Sequence, residues 1–580
     1  MLKFTIYSVI VVSLFTFFNM GNRVSANAVT TAPKASSSSS SSSLWPSDDD
    51  DSLSIIPESD MRSLDRNIWI ITTAALPWMT GTSVNPMLRA AALATDRPKG
   101  KVTLMVPWLD LEDQHFVFNS KTRFEDPVEQ KEVMIKWLKE AGLEKAAEKL
   151  EIKFYVGKYH DEYHSIFPMG DILSLIPDES ADVCVLEEPE HLNWYRAPFT
   201  HSKPWTEKFK HVIGIIHTNY LHYSRTQPGG VVKEPLLYYV NQLMCRAHTH
   251  KIIKLSNALQ EFAPEKEVTS NVHGVREKYL KIGDEVGRSL ERGDKAFQND
   301  VYFVGKLAWQ KGIDSLFDYM KHIIKEREGR NCFHIDIFGS GPHEGEIKTA
   351  ATNAHLPVTF HGAKDHASIL SHKIFVNPSL SEVLCTTIIE ALAMGKFVIC
   401  PEHPSNEFFY QFPNCLTYAT QEEFGHQVEY ALHHNPHKLS DEHRYALTWE
   451  AATERLIKAS MLTKEMQKNS KLLTDKFARS VHDMLSNGPA GDAFRSAFGA
   501  KDAAAQFKYM RRFGSASPSS RSSDHLQDLV SDSVNCLGND DDMSGKVVEG
   551  NVHIVKSDDD NDTNDDDSSS SNIIDNNLKI

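Results

Sequence analysis

Two glutamates eight positions apart carry the clearest chemical signal in this chain of 580 residues. Glu382 and Glu390 lie in VNPSLSEVLCTTIIEALAMGKFVI, residues 376–399. A strand is expected to end at Asn377-Pro378, then a loop, then a helix from about Cys385 to Met394. On a single helix, eight residues would set two carboxylates about 12 Å apart along the axis. A carboxylate pair working on one glycosidic bond needs roughly 5 Å. The two must therefore touch different parts of one extended ligand. A sugar nucleotide is such a ligand. Glu382 on the loop can reach the sugar, and Glu390 on the helix can take the ribose hydroxyls. Backbone N–H groups at the helix start favour the diphosphate. Two solvated glutamates are the alternative, and it fits Glu390 poorly, because a carboxylate in the apolar run TTIIEALAMG is costly without a partner.

Lys306 and Lys311 follow from the same logic. The stretch VGKLAWQKG sets two lysines five apart after a strand end, with Gly305 and Gly312 marking turns. A leaving nucleoside diphosphate carries about two to three negative charges, which point cations stabilise. In isolation, two surface lysines would be the better reading. The glutamate pair at a later strand end shifts the balance. Gly81-Thr82 in TTAALPWMTGTSVNPMLRAAALA (72–94) precede a helix start near Asn85-Pro86 and offer backbone donors to phosphate or sugar. A tight turn without a ligand is nearly as good a reading there, because the full Gly-rich dinucleotide fingerprint is missing. His217 closes the strand HVIGIIH. It could hold an acceptor or hydrogen-bond a donor sugar, or sit satisfied in the core. Among 27 histidines, His273 and His191 are weaker candidates of the same kind. No metal-ligand cluster is visible. The DDD runs fall in tails without fixed geometry, so lysines and a helix N-terminus would replace a metal.

These residues need a scaffold of strand ends. From about residue 65, apolar β-branched runs alternate with amphipathic stretches, the pattern of parallel sheets flanked by helices. Strands are expected at 68–73, 101–107, 152–156, 181–188, 211–217 and 251–256, then at 301–305, 334–339, 373–378 and 396–401. Residues 257–299 read as a polar linker with some helix, and 449–487 as a closing helix pair. Two open α/β domains place a ligand in the cleft at the carboxyl ends of their strands.

Charge sits in the tails: −3 on residues 1–60 and −11 on 516–580, leaving −2 on the 455 residues between. Bulk charge thus excludes nucleic-acid binding and gives no net pull toward an anionic membrane. Seven scattered cysteines without a CxxC argue for free thiols. Residues 4–18, FTIYSVIVVSLFTFF, with Ala26-Asn27-Ala28 behind them, read as a signal peptide with its cleavage site. An uncleaved anchor is the alternative, but the run is short of the roughly 20 residues a span needs.

The Gly81 loop, His217, GK-x4-KG and E-x7-E together resemble the retaining, metal-independent GT-B glycosyltransferases, the family that includes sucrose synthase. TTAALPWMTGTSVNP, KVTLMVPWL, SIFPMGD, LEEPEHLNWY, GIIHTNYL, NVHGV, ALAMGKFVIC and HPSNEFF with FPNCLTY resemble the digalactosyldiacylglycerol synthases of plants and algae over about residues 65–460. The resemblance implies an α/β fold of two facing Rossmann-like domains: an acceptor-side domain over 63–270 and a nucleotide-sugar domain over 271–445. A signal peptide (1–28) and a disordered linker (29–62) would precede them. Closing helices (446–490) and an acidic, mostly disordered tail (491–580) would follow. It implies UDP-galactose as co-substrate, a galactolipid acceptor and no metal or other cofactor. Lys306 and Lys311 would bind the diphosphate, Glu390 the ribose, Glu382 the galactose, and His217 would line the reacting centre. A peripheral membrane contact at 192–205 or 236–251 is expected, the second more plausibly core. The implied address is the plastid envelope, reached through the ER, with the endomembrane system as the alternative. A sulfoquinovosyl or glucosyl donor, or a sugar-nucleotide epimerase, are the competing functions.

Overall fold

The computed structural model describes residues 55–118, 122–160, 164–193, 203–225, 230–326 and 333–486. The expected signal peptide, most of the Ser/Asp-rich stretch after it and the acidic tail lie outside these residues. Residues 55–62, the end of that stretch, belong to the fold: Met61 is fully buried and Ile55 pairs with Thr463.

All ten expected strands form. The first sheet is built on β1 (Ile68–Ile71), β2 (Val102–Trp108), β3 (Glu151–His160), β4 (Ser165–Pro168), β5 (Val183–Glu187), β6 (His211–Ile216), β7 (Lys251–Lys254) and β8 (Glu267–Thr269). Its order is β4-β3-β2-β1-β5-β6-β7-β8, parallel throughout except for β4 against β3. Every residue of β1, β2, β5, β6 and β7 is buried, as apolar runs covered on both faces must be. The second sheet holds β9 (Asn299–Val304), β10 (Ile335–Phe338), β11 (Val358–Gly362), β12 (His372–Val376), β13 (Phe397–Pro401) and β14 (Cys415–Tyr418). Its order, β11-β10-β9-β12-β13-β14, is parallel throughout.

Four strands were not expected. β4, β8 and β14 are only three or four residues long, and β11 alternates half-buried with exposed positions at the sheet edge. Short edge strands lack the long apolar run that betrays a buried one. In both sheets the build direction reverses once, between β1 and β5 and between β9 and β12. Loops leaving a sheet at such a reversal diverge and open a crevice, where α/β folds bind ligands.

Seven helices matter to that crevice: α1 (Gly81–Thr95), α2 (Tyr220–Arg225), α3 (Gly230–His248), α4 (Glu277–Glu291), α5 (Thr386–Ala393), α6 (Trp449–Ser460) and α7 (Leu472–Ser486). The stretch 257–299 is more than a linker. It supplies β8 and α4, and α4 packs on α5 so closely that a Cβ on Gly283 would meet the Ala393 carbonyl at 2.0 Å. α6 returns from the second half to pack on α1 and β7. The His211 ring at the start of β6 donates from Nε2 to the Ser460 carbonyl (2.8 Å). One hydrophobic core accordingly joins residues of both sheets, and a second fills the far side of the β9–β14 sheet. The stretch 236–251 lies mostly inside α3, with Val240, Leu243, Met244 and Cys245 buried, which makes it core and not a membrane face. Residues 194–202 of the other expected membrane contact lie outside the described residues. Among the described residues, no helix is long and apolar enough to cross a membrane.

Candidate active site at the two switch points

The second sheet brings Lys311 and Glu382 together. β9 ends at Val304, and the chain turns through Gly305 and Lys306 into the short 3-10 turn Trp309–Lys311. Gly312 closes that turn at φ 75°, and a Cβ there would meet the Pro378 carbonyl at 2.4 Å. Only glycine both adopts this backbone and lets the loop after β12 come so near. Ser381 Oγ then donates to the Gln310 carbonyl (2.7 Å). The two loops are thereby clamped, and Lys311 Nζ reaches Glu382 Oε1 at 2.5 Å, each side chain about a quarter exposed. Lys306 is exposed, with no ion pair among the described residues. α5 begins just beyond. Its N-cap Cys385 makes no side-chain cap bond, so the first amides of the helix are not satisfied from that side.

Glu390 sits inside α5 and is held by a relay. Burial, the largest influence, keeps the His366 pKa below its ordinary value in spite of the neighbouring carboxylate, so the ring is neutral. His366 Nδ1 donates to Glu390 Oε2 (2.8 Å), and its Nε2 accepts from the Tyr302 hydroxyl (2.8 Å). Behind the ring of Tyr302, at 4.5 Å, lies Nζ of the fully buried Lys396, whose pKa burial pulls down to about 7.

The first sheet builds the opposite set. Gly81 and Thr82 open α1, whose N-cap Thr80 also makes no side-chain cap bond. Thr72 Oγ1 donates to the Thr82 carbonyl (2.5 Å) and ties the helix start to the end of β1. Two turns further along, the buried Arg89 pairs with Glu187 at the end of β5 (2.7 Å). Burial alone would raise the Glu187 pKa, but the charges of Arg89 and His217 outweigh it and the net shift is down. An ionised carboxylate only accepts, so the short bond between them has His217 Nε2 donating to Glu187. The next residue, Glu188, has φ 66°, a conformation rare outside glycine and asparagine. Its buried carboxylate accepts from Thr73 Oγ1 (2.8 Å), Thr218 Oγ1 and the Tyr220 hydroxyl (3.2 Å). Such local strain persists only where the surroundings over-determine it.

Among the candidates, the structure pairs Lys311 with Glu382 directly. It places Glu390 on the adjoining helix, Lys306 on the loop before Lys311, and Gly81, Thr82 and His217 at the reversal in the first sheet. His222 lies on α2. Burial, then the charges of Arg225 and Lys311, lower its pKa, and His403 beyond β13 is depressed in turn by burial and by His222. The two weaker histidine candidates are both buried. His191 bonds to the Ile166 carbonyl and to Tyr220 and stacks on Phe167 at 4.9 Å. His273 is buried and its pKa lies well below the ordinary value through burial. Sequence reasoning missed Arg89, Glu187, Glu188 and His366. A signal existed for Arg89, a charge inside the apolar run MLRAAALA, and for Glu187-Glu188, two acids ending an apolar strand.

Residues 298–433 match the family model for "Glycosyl transferases group 1". Digalactosyldiacylglycerol synthase 2, chloroplastic, of Glycine max is 44% identical over 414 residues, 71% of this chain and 87% of that protein. The chain belongs to the digalactosyldiacylglycerol synthase family. The Arabidopsis thaliana digalactosyldiacylglycerol synthase 2 is 43% identical over 410 residues, 70% of this chain and 84% of the relative. Digalactosyldiacylglycerol synthase 1 of Glycine max is 47% identical over 408 residues, 70% of this chain. The chain spans about half the length of the synthase 1 relatives it matches, 51% in that case. The fold expected of the digalactosyldiacylglycerol synthase family, GT-B, is the one found: two parallel-sheet α/β halves with the candidate side chains at the reversal of each.

Proposed function

We propose that this chain transfers galactose from UDP-galactose to monogalactosyldiacylglycerol, with retention, to give α-linked digalactosyldiacylglycerol. The observation that carries the reading is the Lys311–Glu382 pair at the reversal of the second sheet, in a chain of this family. Lys311 and Lys306 take the diphosphate, helped by the uncapped start of α5. Glu382 orients galactose hydroxyls. Glu390, with one oxygen fixed by His366, offers the other to the ribose. Gly81 and Thr82 approach the donor from the first half, and His217, locked by Glu187, lines the reacting centre.

No candidate side chain is a nucleophile set beside a base, so front-face transfer is favoured. The bond from the anomeric carbon to the phosphate oxygen breaks. The bond from that carbon to the acceptor hydroxyl oxygen forms on the same face. The hydroxyl proton passes to the leaving phosphate oxygen. The protein supplies position and charge, and no metal or other cofactor is needed. The acceptor is a lipid, so the enzyme works peripherally on a membrane. The relatives are named chloroplastic. We assign this chain to the plastid envelope, reached through the ER by its N-terminal signal.

The test is a donor panel in EDTA: UDP-galactose, UDP-glucose and UDP-sulfoquinovose with monogalactosyldiacylglycerol. Turnover with UDP-galactose alone supports the reading. Preference for another donor reassigns the sugar, and donor conversion without acceptor points to an epimerase.

A further inference from the structure

The closing helix α7 presents two unlike faces. Ala478 and His482 are buried where it packs on α3. Asp475 turns inward to Arg246 and Lys266, at 3.4 and 3.0 Å. The outer side is apolar: Leu473 is 83% exposed, Met484 65%, Leu472 58% and Phe477 46%. Leu473, Phe477 and Met484, four and seven apart, form one stripe. Five of the sixteen exposed large apolar side chains among the described residues fall between Met466 and Met484. Beside the stripe, Lys468, Lys471 and Lys476 are exposed, with Glu465 as the exposed acid nearby in sequence. A helix with an exposed apolar stripe and a lysine flank suits the boundary between head groups and acyl chains of an anionic bilayer.

We propose that α7, with the helix Lys464–Lys468 before it, is the face by which this protein docks on an anionic lipid surface. The charge pattern selects that occupant: Asp475 faces inward, and the exposed Lys464, Lys468, Lys471 and Lys476 outnumber the exposed Glu465 and the half-buried Asp483. The position in the fold agrees. α3, against which α7 packs, also packs on α2 and on the short helix Pro189–Asn193, both of which leave the strand ends of the candidate site. By these contacts α7 and then α3 stand between a bilayer on the outer face and the short helices that leave those strand ends. The inference deepens the galactolipid reading and rests on it for its purpose, though not for its test.

The full chain is co-sedimented with vesicles of phosphatidylcholine, with and without phosphatidylglycerol. Wild type is expected to bind the phosphatidylglycerol vesicles more tightly. Leu473→Ser with Met484→Ser should lower binding to both vesicles about tenfold. Lys468→Gln, Lys471→Gln and Lys476→Gln should each cost roughly fivefold on anionic vesicles only. These side chains are exposed, so circular dichroism and Tm should match wild type. Transfer to acceptor dispersed in detergent micelles should also be unchanged in all of them. Unaltered vesicle binding in the Leu473/Met484 variant overturns the proposal. So does binding that appears only when residues 515–580 are removed, which gives the face to the acidic tail. A wild-type dimer that the same variant makes monomeric gives it to a second copy and likewise overturns it. Wild type inactive in micelles, with vesicle binding still lost in the variants, sinks the galactosyl reading and leaves the lipid face standing.

Discussion

At the scale of residues, the proposed donor site sets opposite charges in contact. Lys311 and Glu382 pair at 2.5 Å. A donor's phosphates would draw the lysine away and release the carboxylate to sugar hydroxyls. Glu382→Ala should lower kcat by about 10²–10³-fold, and Lys311→Ala should cut kcat/KM for the donor by about 10²-fold. Steady-state kinetics with UDP-galactose checks both. His366→Ala should raise the donor KM about tenfold with a smaller change in kcat, because it frees Glu390 without removing it. The glutamates and lysines were legible from their type and spacing after strand ends. The His366–Tyr302 relay was not, because its members lie 64 positions apart and meet only through the sheet.

At the scale of elements, the strand ends are fixed by buried charge as much as by apolar packing. Arg89 on α1 and Glu187 on β5 are both essentially inaccessible to solvent. Arg89→Met should destabilise the fold by about 3–5 kcal/mol, since it leaves the buried Glu187 carboxylate with the bond from His217 but without its paired guanidinium. Adding Glu187→Met should recover much of that loss, and urea titration of the single and double variants measures it. His211 and His250 give a pH signature. The His211 ring donates to the Ser460 carbonyl, and His250 Nδ1 accepts from the Val212 amide, which requires that nitrogen to be unprotonated. Burial holds their pKa values at about 3 and about 4, against 6.5 for an ordinary histidine. Between pH 6.5 and 4 the unfolded chain binds protons that the folded chain refuses, so stability falls as pH falls through that window. Each histidine should account for about 2 kcal/mol by pH 5. A variant with His211→Gln and His250→Gln should show a flatter fall in its urea midpoint. The long parallel strands were legible because full burial leaves continuous apolar runs. The short edge strands were not, because they lack a long apolar run, whereas the helix allowed for within 257–299 is α4.

At the scale of the whole molecule, two sheets of independent order each reverse once, and the chain's chemical residues collect at those reversals. α6 carries the C-terminal part back onto the first half, so the two sets are held by one continuous core. The division into two α/β halves was legible in the repeated rhythm of strand runs. Which residues cross between halves was not, since no local pattern marks a contact such as Asn257 Nδ2 to Glu407 Oε2 at 2.6 Å. The proposed function requires that both halves act on a single galactosyl donor. NMR of the lipid product formed from UDP-galactose and monogalactosyldiacylglycerol in EDTA tests it most directly. The expected result is an α-linked second galactose from wild type and almost none from Glu382→Ala. A β-linked product, or undiminished product from that variant, would contradict it.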